Sequence, residues 1–490
     1  MRLQVPPAAQ GPCSAPLQRC PASWPPAAAR RLGIVSPASR SQIGAAGSGR
    51  EGNSAPAARR RRRLQTAAAL GGNGASTGAP ARTPHSGYHW DGTPRRFFEG
   101  WYFKVTLPGD GQSFALIYSI EDPAGGNRYS GVGAQVMGPD DGYLLQYSPQ
   151  VQQFWADRRE LALGAVFMQP GGLATATPPL HLKQPLPAAR FDAAVEQGFQ
   201  ATATWHQGSI VRAEQGAAGS LHSTVDTCRW AFSVRPVYGW GDAGARQRST
   251  AGWLSSLPVF EPHWQVVMAH GLASGWIEWG EQRYEFKDAA HYAEKNWGGG
   301  FPRRWCWVQC NTFEGAAGTS VTAVGALRGL LGVPGVEENV GMIGIHHAGR
   351  FYEFLPNTGS VGWDVDPWGR WRISGRNAQY EAVVEAACNA PGTPLRAPTI
   401  DEGLTPFCRD SFCGTCRIRI WPAGQTAGPP LVDCTSSGRS AAVEVGGGPW
   451  FTRWQQDAAM AGPVKQLLNL PLDVEALADL LPGPLRPPGL

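Results

Sequence analysis

Beyond the leader, residues 1–81, the sequence has no Gly-x-Ser-x-Gly elbow, no phosphate-binding glycine loop and no dinucleotide fingerprint ahead of a helix. The usual nucleophile and nucleotide devices are therefore excluded. It also lacks any run of about 18 apolar residues, so no segment reads as a bilayer-spanning helix. Behind Met1 there is no secretory apolar region, and 10 cysteines in 490 residues do not suggest a disulfide scaffold. Cys408-x4-Cys413-x2-Cys416, with Cys434 further on, has the spacing of an iron–sulfur loop. Yet Cys416 runs directly into the strand-like Arg417-Ile-Arg-Ile-Trp421, and no other redox signal accompanies it. His346 and His347 are adjacent, which aims them at opposite faces of a strand, and no third ligand is near. No metal and no cofactor are expected.

Acidic residues are almost missing from the first part of the chain. Residues 1–64 carry eleven arginines, including the run Arg59–Arg63, against the single Glu51, so that this leader is +10 and the remainder of the +5 chain is −5. Residues 1–81, rich in Ala, Pro, Ser, Gly and Arg, read as a disordered organelle transit peptide. A nuclear-type basic patch is the rival reading of the arginine run. The mildly acidic body offers no polyanion-binding surface, so nucleic acid is not an expected partner.

What the chain has in quantity is glycine (63), proline (42) and tryptophan (20). Short alternating runs such as Ser113–Glu121, Gly131–Met137 and Tyr143–Tyr147, separated by Gly, Pro or Asp, predict an antiparallel meander. The expected fold is mainly β, with two lipocalin-like antiparallel β-barrel domains over residues 82–245 and 246–490. A short helical C-terminal region is expected at Thr452–Leu470 and Asp473–Leu481, with Asp473 as a cap and Pro482 as a stop.

Chemistry concentrates between Glu261 and Cys310. Trp264, Trp276, Trp279, Trp297, Trp305 and Trp307 surround an acid-containing centre that ends in Gly298-Gly299-Gly300. Trp276–Trp279 and Arg283–Phe286 read as a hairpin, and Trp305, Trp307 and Gln309 share one face of a strand. Tyr292–Gly300 is expected to be irregular backbone between strands. Upstream, Glu99 would share a strand face with Trp101 and Phe103, opposite Tyr102 and Lys104, and Arg95 or Arg96 would be its natural ion partner. Asp364-Val-Asp366 has the look of the acid pair of some terpene cyclases, but Pro367 and Gly369 favour a solvated turn.

Five blocks, in order, carry a family resemblance: Pro84-His-Ser-Gly-Tyr-His-Trp-Asp-Gly92, Phe97-Phe-Glu-Gly-Trp-Tyr-Phe103, Tyr292-Ala-Glu-Lys-Asn-Trp-Gly298, Phe301-Pro with Trp305, Trp307 and Gln309, and Val443-Glu-Val-Gly-Gly-Gly-Pro-Trp450. From about Thr83 to Leu490 the chain resembles the tocopherol cyclases of plants and algae. The resemblance implies a plastid enzyme, associated with plastoglobules, that closes the chromanol ring of a phytyl or prenyl hydroquinone without a cofactor. It also implies a superfamily pattern in which an aromatic stands two positions before an acid that leads into Trp-Gly. Tyr292, Glu294 and Trp297-Gly298 occupy those places, with Glu where the pattern has Asp.

Ring closure needs a proton on an alkene, then attack of a phenol oxygen on the tertiary carbon. A carboxyl serves as donor only where an apolar site raises its pKa, and Glu294 beside Tyr292 is the first candidate. Trp101, Tyr102, Asn296, Trp297, Trp305 and Trp307 are the candidate substrate wall, their π faces suited to a developing cation. His85, His89, His291 and Glu99 are candidate bases. A long apolar cavity inside a barrel is expected, reached from a peripheral lipid surface. The rival reading is a lipocalin-like carrier of a prenylquinone or pigment, which needs the aromatic wall but not Glu294.

Overall fold

The computed structural model describes residues 83–490, apart from 110, 175–183, 213–222, 257–260, 330–334, 449, 461–464, 467–473 and 483–484. The expected leader, residues 1–81, lies outside the described residues.

Two curled antiparallel sheets of 12 strands each make up the body. The first contains β1 (Phe98–Thr106), β2 (Ser113–Glu121), β3 (Gly131–Met137), β4 (Tyr143–Ser148), β5 (Phe154–Ala156), β6 (Ala162–Gln169), β7 (Leu173–Ala174), β8 (Gln197–Thr202), β9 (Trp205–Val211), β10 (Thr227–Tyr238), β11 (His263–Trp279) and β12 (Gln282–Gly298). Its order is β4-β3-β2-β1-β12-β11-β10-β9-β8-β6-β5, with β7 against β6. The second contains β13 (Arg304–Cys310), β14 (Ser320–Gly329), β15 (Glu337–His347), β16 (Arg350–Phe354), β17 (Gly359–Val365), β18 (Arg370–Asn377), β19 (Tyr380–Ala387), β20 (Thr393–Thr399), β21 (Gly403–Pro422), β22 (Val432–Thr435), β23 (Ala441–Gly447) and β24 (Trp454–Ala458). Short helices α1 (Ala188–Ala194) and α2 (Val474–Asp479) are attached. The mainly β class read from the sequence is the class of the molecule.

The sheets change over between Gly298 and Arg304. Residues 263–298, grouped with the second unit by the division at 245/246, therefore pair into the first sheet. The expected hairpin is present and extends over 17 residues on each side, turning at Gly280-Glu281 with Gly280 at φ +61°.

Tyr292–Gly298, expected to be irregular, is the end of β12. This end of the strand is buried on both faces and carries polar groups on both, which hides the usual apolar–polar alternation. Thr452–Leu470 also differs from its expected helix: Trp454–Ala458 is a strand paired with β17. Trp454 and Ala458 have helical spacing, but they are the two buried ends of a short strand whose three middle residues face solvent. Asp473, the expected cap, lies outside the described residues.

Three large apolar cores result among the described residues, with a small fourth of Val166, Phe191 and Val195 under α1. One fills the first sheet, where Tyr118 stacks flat on Phe199 at 3.9 Å. Another fills the second sheet around Trp363, Trp371 and Ile373. The third lies between the sheets and joins Tyr102, Val266 and Tyr292 of the first to Trp305, Trp307, Phe412 and Ala442 of the second. Large side chains so buried contribute about 1.5–3 kcal/mol each.

Candidate active site

Opposed residues of an antiparallel pair point to the same side of a sheet. In the β1/β12 register Gly100 faces Asn296, Tyr102 faces Glu294 and Lys104 faces Tyr292, so these six share one side. That side looks onto β13, whose Trp305, Trp307 and Gln309 answer it as the alternation predicted; Lys104 Nζ donates to Gln309 Oε1 at 3.1 Å.

Between them is a cavity of about 190 Å³. Gly100, Tyr102, Ile117, Trp264, Glu294 and Asn296 line it from the first sheet. Trp305, Trp307, Val324, Leu395 and Glu444 line it from the second, with Phe301 from the link. The cavity thus runs between the sheets, not within one barrel as expected, because the interior of each sheet is already packed with side chains.

Glu294 is 8% exposed. Its Oε2 accepts from the Tyr292 hydroxyl at 2.5 Å and from Trp307 Nε1 at 3.2 Å. Burial pushes its pKa up to about 7, against the opposing pull of donor contacts from Tyr292, Trp264 and Trp307. The arrangement suits a Brønsted acid: burial keeps the carboxyl neutral, while donors on one oxygen stabilise the anion left when the proton departs. Tyr102 stands edge-on to Trp307 at 5.5 Å and to Tyr292 at 6.4 Å. Its buried hydroxyl has no hydrogen-bond partner among the described residues, and so is available to a ligand.

Several sequence candidates lie on the other side of the first sheet. Glu99, Trp101, Lys295 and Trp297 point together away from Glu294. Trp101 borders the cavity, but its ring packs into the first core against Phe154 at 5.8 Å. Glu99 is not paired with Arg95 or Arg96; its Oε1 meets Lys295 Nζ, and its Oε2 accepts from the His89 backbone N–H at 2.8 Å. Arg96 is engaged by Glu121 at 2.5 Å and Asp122 at 3.1 Å. Trp297 is stacked on His89 at 3.8 Å and on His85 at 5.3 Å. His291 lies in the first core beside His206, and burial drives its pKa down to about 3.

Other motifs fall to structural roles. Cys408, Cys413 and Cys416 are strung along the single strand β21, with free thiols. Asp364 is held by Arg370 at 3.4 Å and by Arg453, and Asp366 by Arg370 at 3.3 Å.

Two further carboxyls lie nearby that sequence reasoning did not single out. Glu444 of β23 is half-buried, lines the cavity and accepts from Trp305 Nε1. Asp410 of β21 stands directly across from Glu444, wholly buried, with no side-chain donor to its carboxyl oxygens among the described residues. Burial and the adjacent Glu444 raise the pKa of Asp410, while Lys104 pulls it down. Only the presence of Glu444 in the Val443–Trp450 block gave a signal.

A family model described as "Tocopherol cyclase-like" matches residues 95–447. The chain is 46% identical over 423 residues to a "Probable tocopherol cyclase, chloroplastic" of Oryza sativa subsp. japonica, covering 84% of this chain and 87% of that protein. It is 47% identical over 425 residues to a "Tocopherol cyclase, chloroplastic" of Zea mays, covering 84% and 86%. Among solved structures, that of CghA with Sch210972 aligns with a TM-score of 0.40 and 8% identity, over 72% of this chain and 89% of that one.

Proposed function

The chain belongs to the tocopherol cyclase-like family, and from that premise we propose how it works: it closes the chromanol ring of a prenylated hydroquinone by proton transfer from Glu294, without a cofactor. The relatives' names support a tocopherol cyclase acting in the chloroplast. The observation that carries the mechanism is a buried carboxyl, titrating near neutrality, on the wall of an aromatic cavity.

Glu294 delivers its proton to the less substituted carbon of the tail's trisubstituted alkene. Positive charge then develops on the tertiary carbon, where the faces of Trp264, Trp305, Trp307 and Tyr102 offer negative potential and no nucleophile. Each such contact is worth about 0.5–2 kcal/mol when desolvated. Folding the tail so that the phenol oxygen already touches this carbon removes much of the entropic barrier. A carrier would use the same wall, but would gain nothing from an unionised acid held in it.

The pH dependence follows from the sign of the shift. Glu294 is the donor only when protonated, and its pKa lies near 7, above the ordinary carboxyl value. The cyclisation rate is therefore expected to fall about tenfold per pH unit above about pH 8, with an acid limb set by the group that takes the phenol proton. A pH–rate profile under saturating quinol checks this; a rate that keeps rising above about pH 8 speaks against Glu294 as donor.

The substrate arrives from lipid, and we place the attachment at plastoglobule or thylakoid surfaces. Among the described residues no helix is long and apolar enough to cross a membrane. Phe451 and Leu480 are 83% and 80% exposed, and Met460, just past β24, lines the cavity. Replacing Phe451 and Leu480 by Asp is expected to lower the vesicle-bound fraction in flotation roughly tenfold, since each loses up to about 1.5–3 kcal/mol of apolar burial. Unchanged flotation would move the attachment elsewhere.

A further inference from the structure

Ring closure needs a second group, because the phenol must lose its proton as its oxygen bonds to carbon. We infer that Glu444, facing Glu294 across the cavity, is the base that takes this proton. The inference rests on Glu294 being the donor.

The geometry selects Glu444 by position. The side chains of Trp305 and Trp307 are two residues apart on one face of β13, roughly 7 Å along the strand. Trp307 donates to Glu294 and Trp305 donates to Glu444. Neighbouring indoles thus hold the two carboxyls apart, leaving room for an alkene carbon beside one and a phenol oxygen beside the other. Gly446 keeps this arrangement open, since a Cβ there would lie 2.0 Å from the Trp305 ring. The remaining candidates face elsewhere. Glu99 is bound to Lys295, and His85 and His89 are stacked against Trp297 on the reverse side of the sheet. His291 is sealed in the first core. His263 reaches the cavity wall, but from the Trp297 side of β11, its ring stacked on Trp297 at 5.1 Å.

The Glu444 environment suits the task. Burial raises its pKa to about 8 against a single indole donor, so the carboxylate form gains weight on the alkaline side and an acid limb of the pH–rate profile is expected. A carboxylate so placed is a stronger base toward a phenol than one in water. Glu294, with more donors, is the better acid of the two.

The step balances without an oxidant or reductant. The Glu294 O–H bond breaks as a C–H bond forms on the alkene, the phenol oxygen's lone pair forms the C–O bond, and the phenol proton passes to the Glu444 carboxylate. One proton has moved from Glu294 to Glu444, and it returns through water admitted as the chromanol leaves.

The test compares Glu444→Gln and Glu294→Gln on two substrates. With dimethyl-phytyl hydroquinone both variants are expected to cyclise about 100-fold more slowly or worse. With a ring-fluorinated quinol, whose phenol ionises more readily, the Glu444→Gln deficit shrinks to about tenfold while that of Glu294→Gln does not. Deuterium uptake into the tail of the O-methyl ether, which has no phenol proton to lose, stays within about threefold of the native rate in Glu444→Gln and is lost in Glu294→Gln. Native-rate cyclisation by Glu444→Gln, or a deficit indifferent to phenol acidity, overturns the assignment of Glu444. Deuterium uptake or cyclisation retained by Glu294→Gln overturns instead the donor reading beneath it.

Discussion

Glu294→Gln should lower kcat for chromanol formation by about 10²–10⁴ while leaving the protein folded and able to bind its quinol. The amide has the same shape as the neutral acid, and its carbonyl oxygen still accepts from Tyr292 and Trp307 as Oε2 does. It has no proton acidic enough for an alkene. Quinol affinity, read from quenching of tryptophan fluorescence, is expected to change less than about threefold, since the apolar wall that sets affinity is untouched. A thermal melt confirms that the variant is folded. Cyclisation at the native rate would mean that the proton comes from another group, with Glu444 and Asp410 the next carboxyls to replace. Loss of binding along with turnover would make Glu294 a structural member of the cavity.

The fold was legible where physics acts locally. Period-two runs bounded by glycine and proline gave the β class, the Trp276–Phe286 hairpin and the common face of Trp305, Trp307 and Gln309. The placement of Glu294 among tryptophans was legible as well, because an acid in such a stretch conflicts with ordinary burial. The division of the other candidates between two faces was not. Reading Tyr292–Gly298 as irregular removed the alternation rule where it mattered: even numbers from 292 to 296 face the cavity, odd numbers from 291 to 297 the first core and the Glu99 cluster. Trp297 and Glu99 are near Glu294 in the sequence or its register, yet on the far side of the backbone.

Glu444 was hidden for a different reason. Its place beside Trp307 arises from the β13/β23 pairing, and that of Asp410 from β21/β23. Nothing in local pattern announces such long-range register. The location of the cavity also depends on packing between sheets: two curled sheets with filled interiors leave the space between them as the place for an apolar ligand.

Glu99→Ala is the second large effect, and it should appear in stability. Glu99 and Lys295 are both 0% exposed and in contact, with Lys295 Nζ also donating to the Gly87 carbonyl at 2.6 Å. Burial opposes the charge on each: it raises the Glu99 pKa and lowers that of Lys295, and their mutual attraction answers it, helped at Glu99 by the His89 backbone N–H. Removing the carboxylate leaves an ammonium in a protein interior, a change that costs about 3–5 kcal/mol. It also releases the His89 backbone N–H, and with it the anchor of residues 85–92. The denaturation midpoint should fall accordingly, and the Glu99→Ala/Lys295→Met pair should recover much of the loss, because the isolated charge is gone. Below its melting temperature the single variant should still cyclise within about threefold of the native rate, as Glu99 lies across the sheet from the reacting atoms. A variant of native stability that no longer cyclises would reverse this and make Glu99 part of the chemistry. The expected pattern instead makes the buried pair a clamp between β1 and β12, fixing the register that sets Tyr102 opposite Glu294.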